Sequence, residues 1–288
     1  MDRGLFRYRL GDLPTRIIPG QHGYVAQLNV ERATEKRKPQ EILNIQQEFN
    51  AKQFNFNKVN PEEIIFEMTK ENGGNGKGQD QPGKMVVLIN VSPLGFGHCL
   101  FVPDPSLCYP QVLTKFAIQT GIESVLLSSD PGFRVGFNSL GAFASVNHLH
   151  LHGYYLDREL RVESKPAEPL LPDKGFYRFP DFPGGFLFYT ESEGVEDVSG
   201  SIWEIKESHQ SRNGVRIVVW PRVSCLGAKE LSAFNTALCE LAGHLPFKNK
   251  SDYELATEED VKNIIQSQLF LKEELHALEQ QLIQHLID

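Results

Sequence analysis

The chain has 288 residues, is 40% hydrophobic with 19 phenylalanines, and carries a formal net charge of -8. That length and apolar content suit one large domain or two modest ones with a sizeable core, while the acidic balance argues against nucleic-acid binding, which needs a basic face. The opening MDRGLFRYRLGDLPTR has no signal-peptide core, no stretch reaches the ~18 consecutive apolar residues of a membrane span, and Cys99, Cys108, Cys225 and Cys239 lack CxxC spacing, so a cytoplasmic protein with buried free thiols at Cys99 and Cys239 is expected.

In chain order, PQEILNIQQEFNAKQFNF predicts the start of a helix with Pro39 in its first turn, and PEEIIFEM a short helix or strand. ENGGNGKGQDQPGK, residues 71–84, has five glycines and no bulky apolar side chain, which predicts a mobile loop; it matches neither phosphate-loop pattern. MVVLINVSP and HCLFVPD, joined by LGFG, predict an antiparallel hairpin. LCYPQVLTKFAIQTGIESVLLSS has helical spacing at Val112, Leu113, Phe116 and Ile122, and FRVGFN and NHLHLHGYYL are two further strands. A meander with an inserted helix is an α+β pattern.

From Pro166 the proline-rich KPAEPLLPDKGFYRFPDFPGG reads as extended surface chain, GFLFYT as a strand, and SGSIWEIKESHQSRNG as polar and poorly periodic. VRIVVWPRVS predicts a strand and KELSAFNTALCELAGHL a helix ending near Gly243. Thr257 to Asp260 has capping-box spacing, and leucines at 271, 275, 278, 282 and 286 predict an amphipathic helix, packed on the body or available for a homodimer. GHCLFVPDPS and VRIVVWPRVS, each followed by a helix, form a weak internal echo. Two halves are therefore expected, 1–160 and 161–288, or one continuous domain.

SVNHLHLHGYYL places His148, His150 and His152 at a spacing of two. Alternate side chains of a strand share a face, so the three imidazoles project together at intervals of ~6.5–7 Å while Leu149 and Leu151 turn into the core. Three readings follow. The face is polar and idle; or an HxH pair holds zinc with a third ligand from elsewhere, for which the chain shows no second HxH or CxxC; or one imidazole is a nucleophile toward phosphorus, with its neighbours tuning it. The third has a clear rationale, because a ring with a reference pKa of ~6.5 is largely neutral near pH 7. Asn138 and Ser145 are then candidate donors to the phosphoryl oxygens, although both also suit turns.

HLHLHGY fits the histidine-triad pattern, and LINVSPLGFGHCLFVP resembles the nucleoside-contacting hairpin of that superfamily. With KRKPQEI, FNFNKV, FNSLGAFASVNHLHLHGYYL and FNTALCELAGHLP, most of the chain resembles the GDP-D-glucose phosphorylase family, relatives of the plant GDP-L-galactose phosphorylases. The resemblance implies a histidine-triad-like antiparallel sheet with packed helices and a second duplicated half, possessed in part. It implies phosphate-dependent cleavage of a GDP-hexose to GDP and hexose 1-phosphate, with no cofactor and no metal. The partners it implies are the GDP-hexose and inorganic phosphate, with no nucleic acid or membrane. His150 would become guanylylated, His148 would orient it, and His152 would contact the phosphate or leaving group. Asn138 and Ser145 match positions that hold the α-phosphate, and Asn90 the position that binds the ribose hydroxyls. Lys58 is expected to contact phosphate, and the basic run Lys36, Arg37, Lys38 to attract one or to form a solvated helix end. His98 is expected to support the hairpin.

Two departures accompany the match. His152 stands where the plant enzymes have glutamine, and it also suits hydrolases, which leaves a nucleotide-sugar hydrolase or a non-catalytic nucleotide-binding protein as alternatives. The stretch between GFLFYT and VRIVVWP is short, which implies a missing or altered strand in the second half.

Overall fold

The computed structural model describes residues 4–37, 40–69, 83–191, 203–206, 214–226 and 232–287. Their strands form two sheets. A small one joins β1 (Thr15–Ile17), β2 (Val25–Leu28) and β13 (His244–Phe247). The large one has ten strands. From one edge run β3 (Ile64–Thr69), β4 (Lys84–Ile89), β5 (Cys99–Pro103), β7 (Leu151–Tyr155) and β6 (Phe133–Gly136). From the other edge run β8 (Glu168–Leu171), β9 (Phe176–Phe179), β10 (Gly185–Glu191), β12 (Gly214–Val219) and β11 (Trp203–Lys206).

Each set, read inward, follows one rule: three consecutive strands, then the fifth, then the fourth. The second five therefore repeat the first, and β6 pairs with β11 at the join, Gly136 opposite Trp203. This bears out the α+β class and the duplication, and corrects two expectations. No second-half strand is missing, because β11 lies inside the short polar stretch and pairs with both β6 and β12. The echo also changes register: by topology GHCLFVP of β5 corresponds to GGFLFYT of β10, and β12 takes the place of the histidine strand β7. Apolar runs look alike in sequence wherever they sit, so hydropathy alone cannot order them.

The predicted hairpin forms β4 and β5, paired from Met85 opposite Pro103 to Ile89 opposite Cys99. In helix α2 (Lys115–Leu127), the Thr114 hydroxyl accepts the Ala117 N–H at 3.2 Å. This helix buries Ala117, Ile118, Ile122 and Val125 on a core that contains Leu149 and Leu151 of the first half and Val215 and Ile217 of the second. Cys99 and Cys239 are buried free thiols, as expected. No helix among the described residues is long and apolar enough to cross a membrane.

Elsewhere tertiary partners override local signals. Residues 40–54 form no helix: their polar groups serve the triad loop instead, where Asn147 N–H donates to Gln40 Oε1 at 2.9 Å and Asn147 Nδ2 to the carbonyls of Gln47 and Glu48 at 2.9 and 2.8 Å. Pro39 and residues 71–82 of the expected loop lie outside the described residues, and its last residue, Lys84, opens β4. The proline-rich stretch is extended, as expected, and supplies β8 on the exposed edge of the sheet, where proline is tolerated, and β9 beside it. Helix α1 (Val30–Glu35) is capped by Asn29, and α3 (Arg161–Ser164) follows β7. The long helix expected before Gly243 shrinks to α4 (Leu238–Ala242), with Gly243 at φ 108° as its left-handed cap. Asn235 and Ala237 instead line a cleft between the halves.

The C-terminal segment is α5 (Lys250–Leu255), α6 (Glu258–Gln266) with the predicted Thr257–Asp260 box, and α7 (Lys272–Ile287). Helix α7 packs on the body through an Arg178–Glu279 ion pair at 3.2 Å.

Candidate active site

Only the last of the three histidines is inside a strand. His152 lies in β7, opposite Leu100 of β5 and Gly136 of β6, while His148 and His150 precede it. Their extended course continues because another segment substitutes for a neighbouring strand. Leu149 N–H donates to the Tyr109 carbonyl at 2.9 Å, and His150 N–H to Gln111 Oε1 at 2.9 Å. Gln111 Nε2 returns a bond to the His150 carbonyl at 3.1 Å and one to the Asn138 carbonyl at 3.0 Å. Gln111 is 1% exposed, so these bonds are made out of water, where losing one leaves an unpaired buried polar group. Leu149 and Leu151 are buried as the alternation requires.

The hydrogen bonds assign the proton on each ring. A carbonyl only accepts, so the 2.8 Å contact between His150 Nδ1 and the His148 carbonyl puts the proton on Nδ1 and the lone pair on Nε2. His98 Nδ1 accepts the Leu94 N–H at 2.9 Å, which places its proton on Nε2. That nitrogen lies 3.1 Å from both His152 Nδ1 and the Asn90 amide nitrogen; Asn90 Nδ2 is itself a donor, so the acceptor available to the His98 proton is His152 Nδ1, and His152 then carries its own proton on Nε2. The pair thus presents a bare nitrogen on His150 beside an N–H on His152, their ring centroids 5.2 Å apart. His148 orients His150 through its main-chain carbonyl. Its own ring is fully buried, accepts the Phe56 N–H on Nδ1 at 3.0 Å, and packs against Phe49 and Phe56.

Burial keeps these rings neutral. It pushes the pKa of His150 down to about 4 against the opposing bond to the His148 carbonyl, and that of His148 to about 4 with help from His150. His98 and His152 are lowered well below the usual histidine value, first by burial and then by nearby positive charge. His244 is lowered to about 4 by burial. Because the folded values lie below the unfolded value near 6.5, the unfolded chain binds more protons as pH falls through about 6.5 toward 4, and stability is lost across that window. We expect urea unfolding to report a loss of about 2 kcal/mol or more between pH 7 and pH 5. A flat profile over that range would mean the rings are not buried neutral.

The cleft in front of His150 and His152 is lined by both halves. Asn90, Asn138, Ser145, His98, His150 and His152 all face it. Asn138 also ties the halves together: its Oδ1 accepts the Leu238 N–H of α4 at 3.0 Å, which leaves the amide nitrogen as the group it can offer a ligand. Asn90 Oδ1 accepts the Ser92 N–H at 2.9 Å, beside His98. Arg32, Lys36, Arg37 and Lys248 supply positive charge to the walls. Glu240 also lines the cleft, 4% exposed, its Oε2 accepting the Ala237 N–H at 3.0 Å and its carboxyl pushed up to about 7 by burial.

Two candidates do not line the cleft: His148, whose ring is buried behind His150, and Lys58. The Lys58 ammonium donates to the carbonyls of Ala51, Lys52 and Gln53 at 2.6, 3.2 and 2.7 Å, closing a turn. Of the basic run, Lys36 and Arg37 line the cleft, and Lys38 lies outside the described residues. His98 does support the hairpin, through Leu94, but it also reaches His152, which its place in GHCLF did not reveal. Nothing in the sequence pointed to Gln111 or Arg32, whose partners His150 and Ser92 lie 39 and 60 residues away, nor to Glu240, whose local bond to Ala237 does not reveal its place in the cleft.

Family models for the GDPGP1-like N-terminal and C-terminal domains match residues 1–154 and 163–288. A protein of Danio rerio named GDP-D-glucose phosphorylase 1 is 56% identical over 304 residues, covering 97% of this chain and 86% of that one. Its Homo sapiens namesake is 44% identical over 297 residues, with 92% and 75% covered. GDP-L-galactose phosphorylase 1 of Arabidopsis thaliana is 30% identical over 295 residues, with 91% and 66% covered. Among solved structures, yeast Ap4A phosphorylase Apa2 in complex with Ap4A has a similar fold, with a TM-score of 0.59, 16% identity and 93% of each chain covered.

Proposed function

The chain belongs to the GDPGP1-like family, and from that premise we propose that it is a GDP-hexose phosphorylase of the nucleotidyltransferase type, acting on GDP-D-glucose. The observation that carries the mechanism is the bond from His150 Nδ1 to the His148 carbonyl, which leaves Nε2 with its lone pair directed away from the backbone. In this reading Nε2 attacks the α-phosphorus of the GDP-hexose. The bond from that phosphorus to the bridging oxygen breaks, hexose 1-phosphate departs with the electron pair, and a guanylyl group remains on His150. An oxygen of inorganic phosphate then attacks the same phosphorus, the phosphorus–nitrogen bond breaks, and GDP leaves with the imidazole restored.

The leaving group and the acceptor are both phosphates, weakly basic and multiply charged. Neither half-reaction demands a strong general acid. What both demand is positive charge and hydrogen-bond donors around the transferring group. His152 serves as such a donor through Nε2–H, and Asn138 Nδ2 and Ser145 act on the α-phosphate. Arg32, Lys36 and Lys248 attract the departing and incoming phosphates, and Asn90 faces the ribose. Arg32 is close enough for its charge to depress His98 and His152 and to oppose the upward shift of Glu240.

Incubation with GDP-glucose, with and without phosphate, tests the reading. Phosphate-dependent formation of GDP and glucose 1-phosphate is the expected result. GMP formed at a rate indifferent to phosphate would instead indicate a hydrolase, and binding without turnover a nucleotide-binding protein.

A further inference from the structure

One wall of the cleft runs outward from the catalytic ring as a series of planar groups. Phe56 stands edge-on to His150 at 5.1 Å, Phe54 edge-on to Phe56 at 5.9 Å, and the Arg37 guanidinium covers the Phe54 ring. Phe54 and Val59 are half-buried and rest on a core cluster formed by Phe56, Leu88, Leu100 and Val146, and all six line the cleft. This is an apolar floor of the kind a flat heterocycle stacks on. Glu63 lies at its outer end, close enough for its charge to act on Arg37.

Glu63 is held there by local structure. It is the third residue of a one-turn helix, Pro61–Glu63, whose cap residue Asn60 donates its N–H to Glu63 Oε1 at 3.2 Å. Oε2 is the acceptor that can turn to a base. The other cleft-lining carboxylate, Glu240, is bound to the Ala237 N–H and feels Arg32 and Lys36, which places it with the cations rather than on the apolar floor.

Guanine is the nucleobase whose pairing edge offers two adjacent donors, N1–H and the 2-amino group, to one carboxylate. Its O6 and N7, next along the perimeter, accept from an arginine fork. Adenine turns an acceptor toward the same carboxylate and is disfavoured. We propose that Glu63, with Arg37 beside it, reads the guanine edge and makes the cleft selective for guanosine nucleotides. The assignment rests on the GDP-hexose reading for its substrate, but its test does not.

The test compares GDP-glucose with IDP-glucose, which lacks the 2-amino group, on the full chain and on Glu63→Gln. The unsubstituted chain is expected to prefer GDP-glucose in kcat/KM by about ten- to a hundredfold, the range for a hydrogen bond to a charged group. Glu63→Gln should bring that ratio to within about threefold of unity by losing GDP-glucose activity, while Glu63→Asp keeps a preference for guanine. An unchanged ratio in Glu63→Gln, with the same melting temperature, overturns the assignment. The same ratio is measured in parallel from the binding of GDP and IDP. A chain that turns over neither sugar nucleotide but shows the Glu63-dependent binding preference refutes the phosphorylase reading and keeps the guanine site. No preference in binding refutes the site.

Discussion

Replacing His150 with asparagine is expected to lower turnover of GDP-glucose by on the order of 10⁴-fold or more, the scale seen when a covalent enzyme loses its nucleophile, while GDP binding stays measurable. The size of the effect follows from the bonding of the ring. Its Nδ1–H is committed to the His148 carbonyl, and its backbone N–H and carbonyl to Gln111. That leaves Nε2 to react, and among the described residues the other unprotonated ring nitrogens of the cleft, His98 Nδ1 and His152 Nδ1, are already engaged as acceptors. Asparagine retains a donor for the His148 carbonyl, so the loop keeps its course and the lost function is isolated to the nucleophile. Wild-type protein quenched after mixing with GDP-glucose in the absence of phosphate should carry a guanylyl mass on the peptide containing His150. Substantial residual turnover in the variant, or the adduct on a different peptide, removes His150 from the role assigned to it.

His98→Leu is expected to cost about 10²–10³-fold in kcat, the range for removal of one preorganised donor to a developing oxyanion. His98 is a positioning residue here. Its Nε2–H meets His152 Nδ1 and thereby forces the His152 proton onto the nitrogen that faces the cleft. Without it the His152 ring can hold its proton on either nitrogen, and the tautomer with Nε2 bare presents a lone pair to an anionic oxygen. A purely structural role would lower stability and leave the chemistry additive. The relay predicts coupling instead: His98→Leu added to His152→Leu should cost little beyond the His152 change alone. Fully additive losses in rapid-quench measurements of the first half-reaction would break the proposed link.

How much of this was legible beforehand depended on how local each interaction is. The β4–β5 hairpin, α2, the Thr257–Asp260 cap and the inward leucines around His150 were legible because each is decided by residues within one or two turns of chain. The shared face of the triad was legible for the same reason. The residues that make the face work were not. Asn147 meets Gln40 across 107 positions, Asn138 meets Leu238 across 100, and Gln111 meets His150 across 39. Such long-range pairs leave no periodic signal; they take the place of the helix expected over residues 40–54, and the helix expected before Gly243 is, among the described residues, confined to Leu238–Ala242. Lys58 illustrates the converse. Its motif was correctly noticed, but three neighbouring carbonyls occupy the ammonium, a purely local outcome that motif matching does not see.

The matching strand order on either side of the β6–β11 join bears on stoichiometry. A fold made of two like leaves has two places where a reactive strand could sit, yet the histidines lie on β7 and the segment leading into it, and β12, in the equivalent place, carries Val215, Arg216 and Ile217. The second leaf has become the lid and clamp of the first: it lends α4 to Asn138 and Lys248 to the cleft wall. Among the described residues, one polypeptide supplies both surfaces of the cleft, its second half facing its first. A proposed centre built this way within one chain is expected to number one per polypeptide, whatever the assembly.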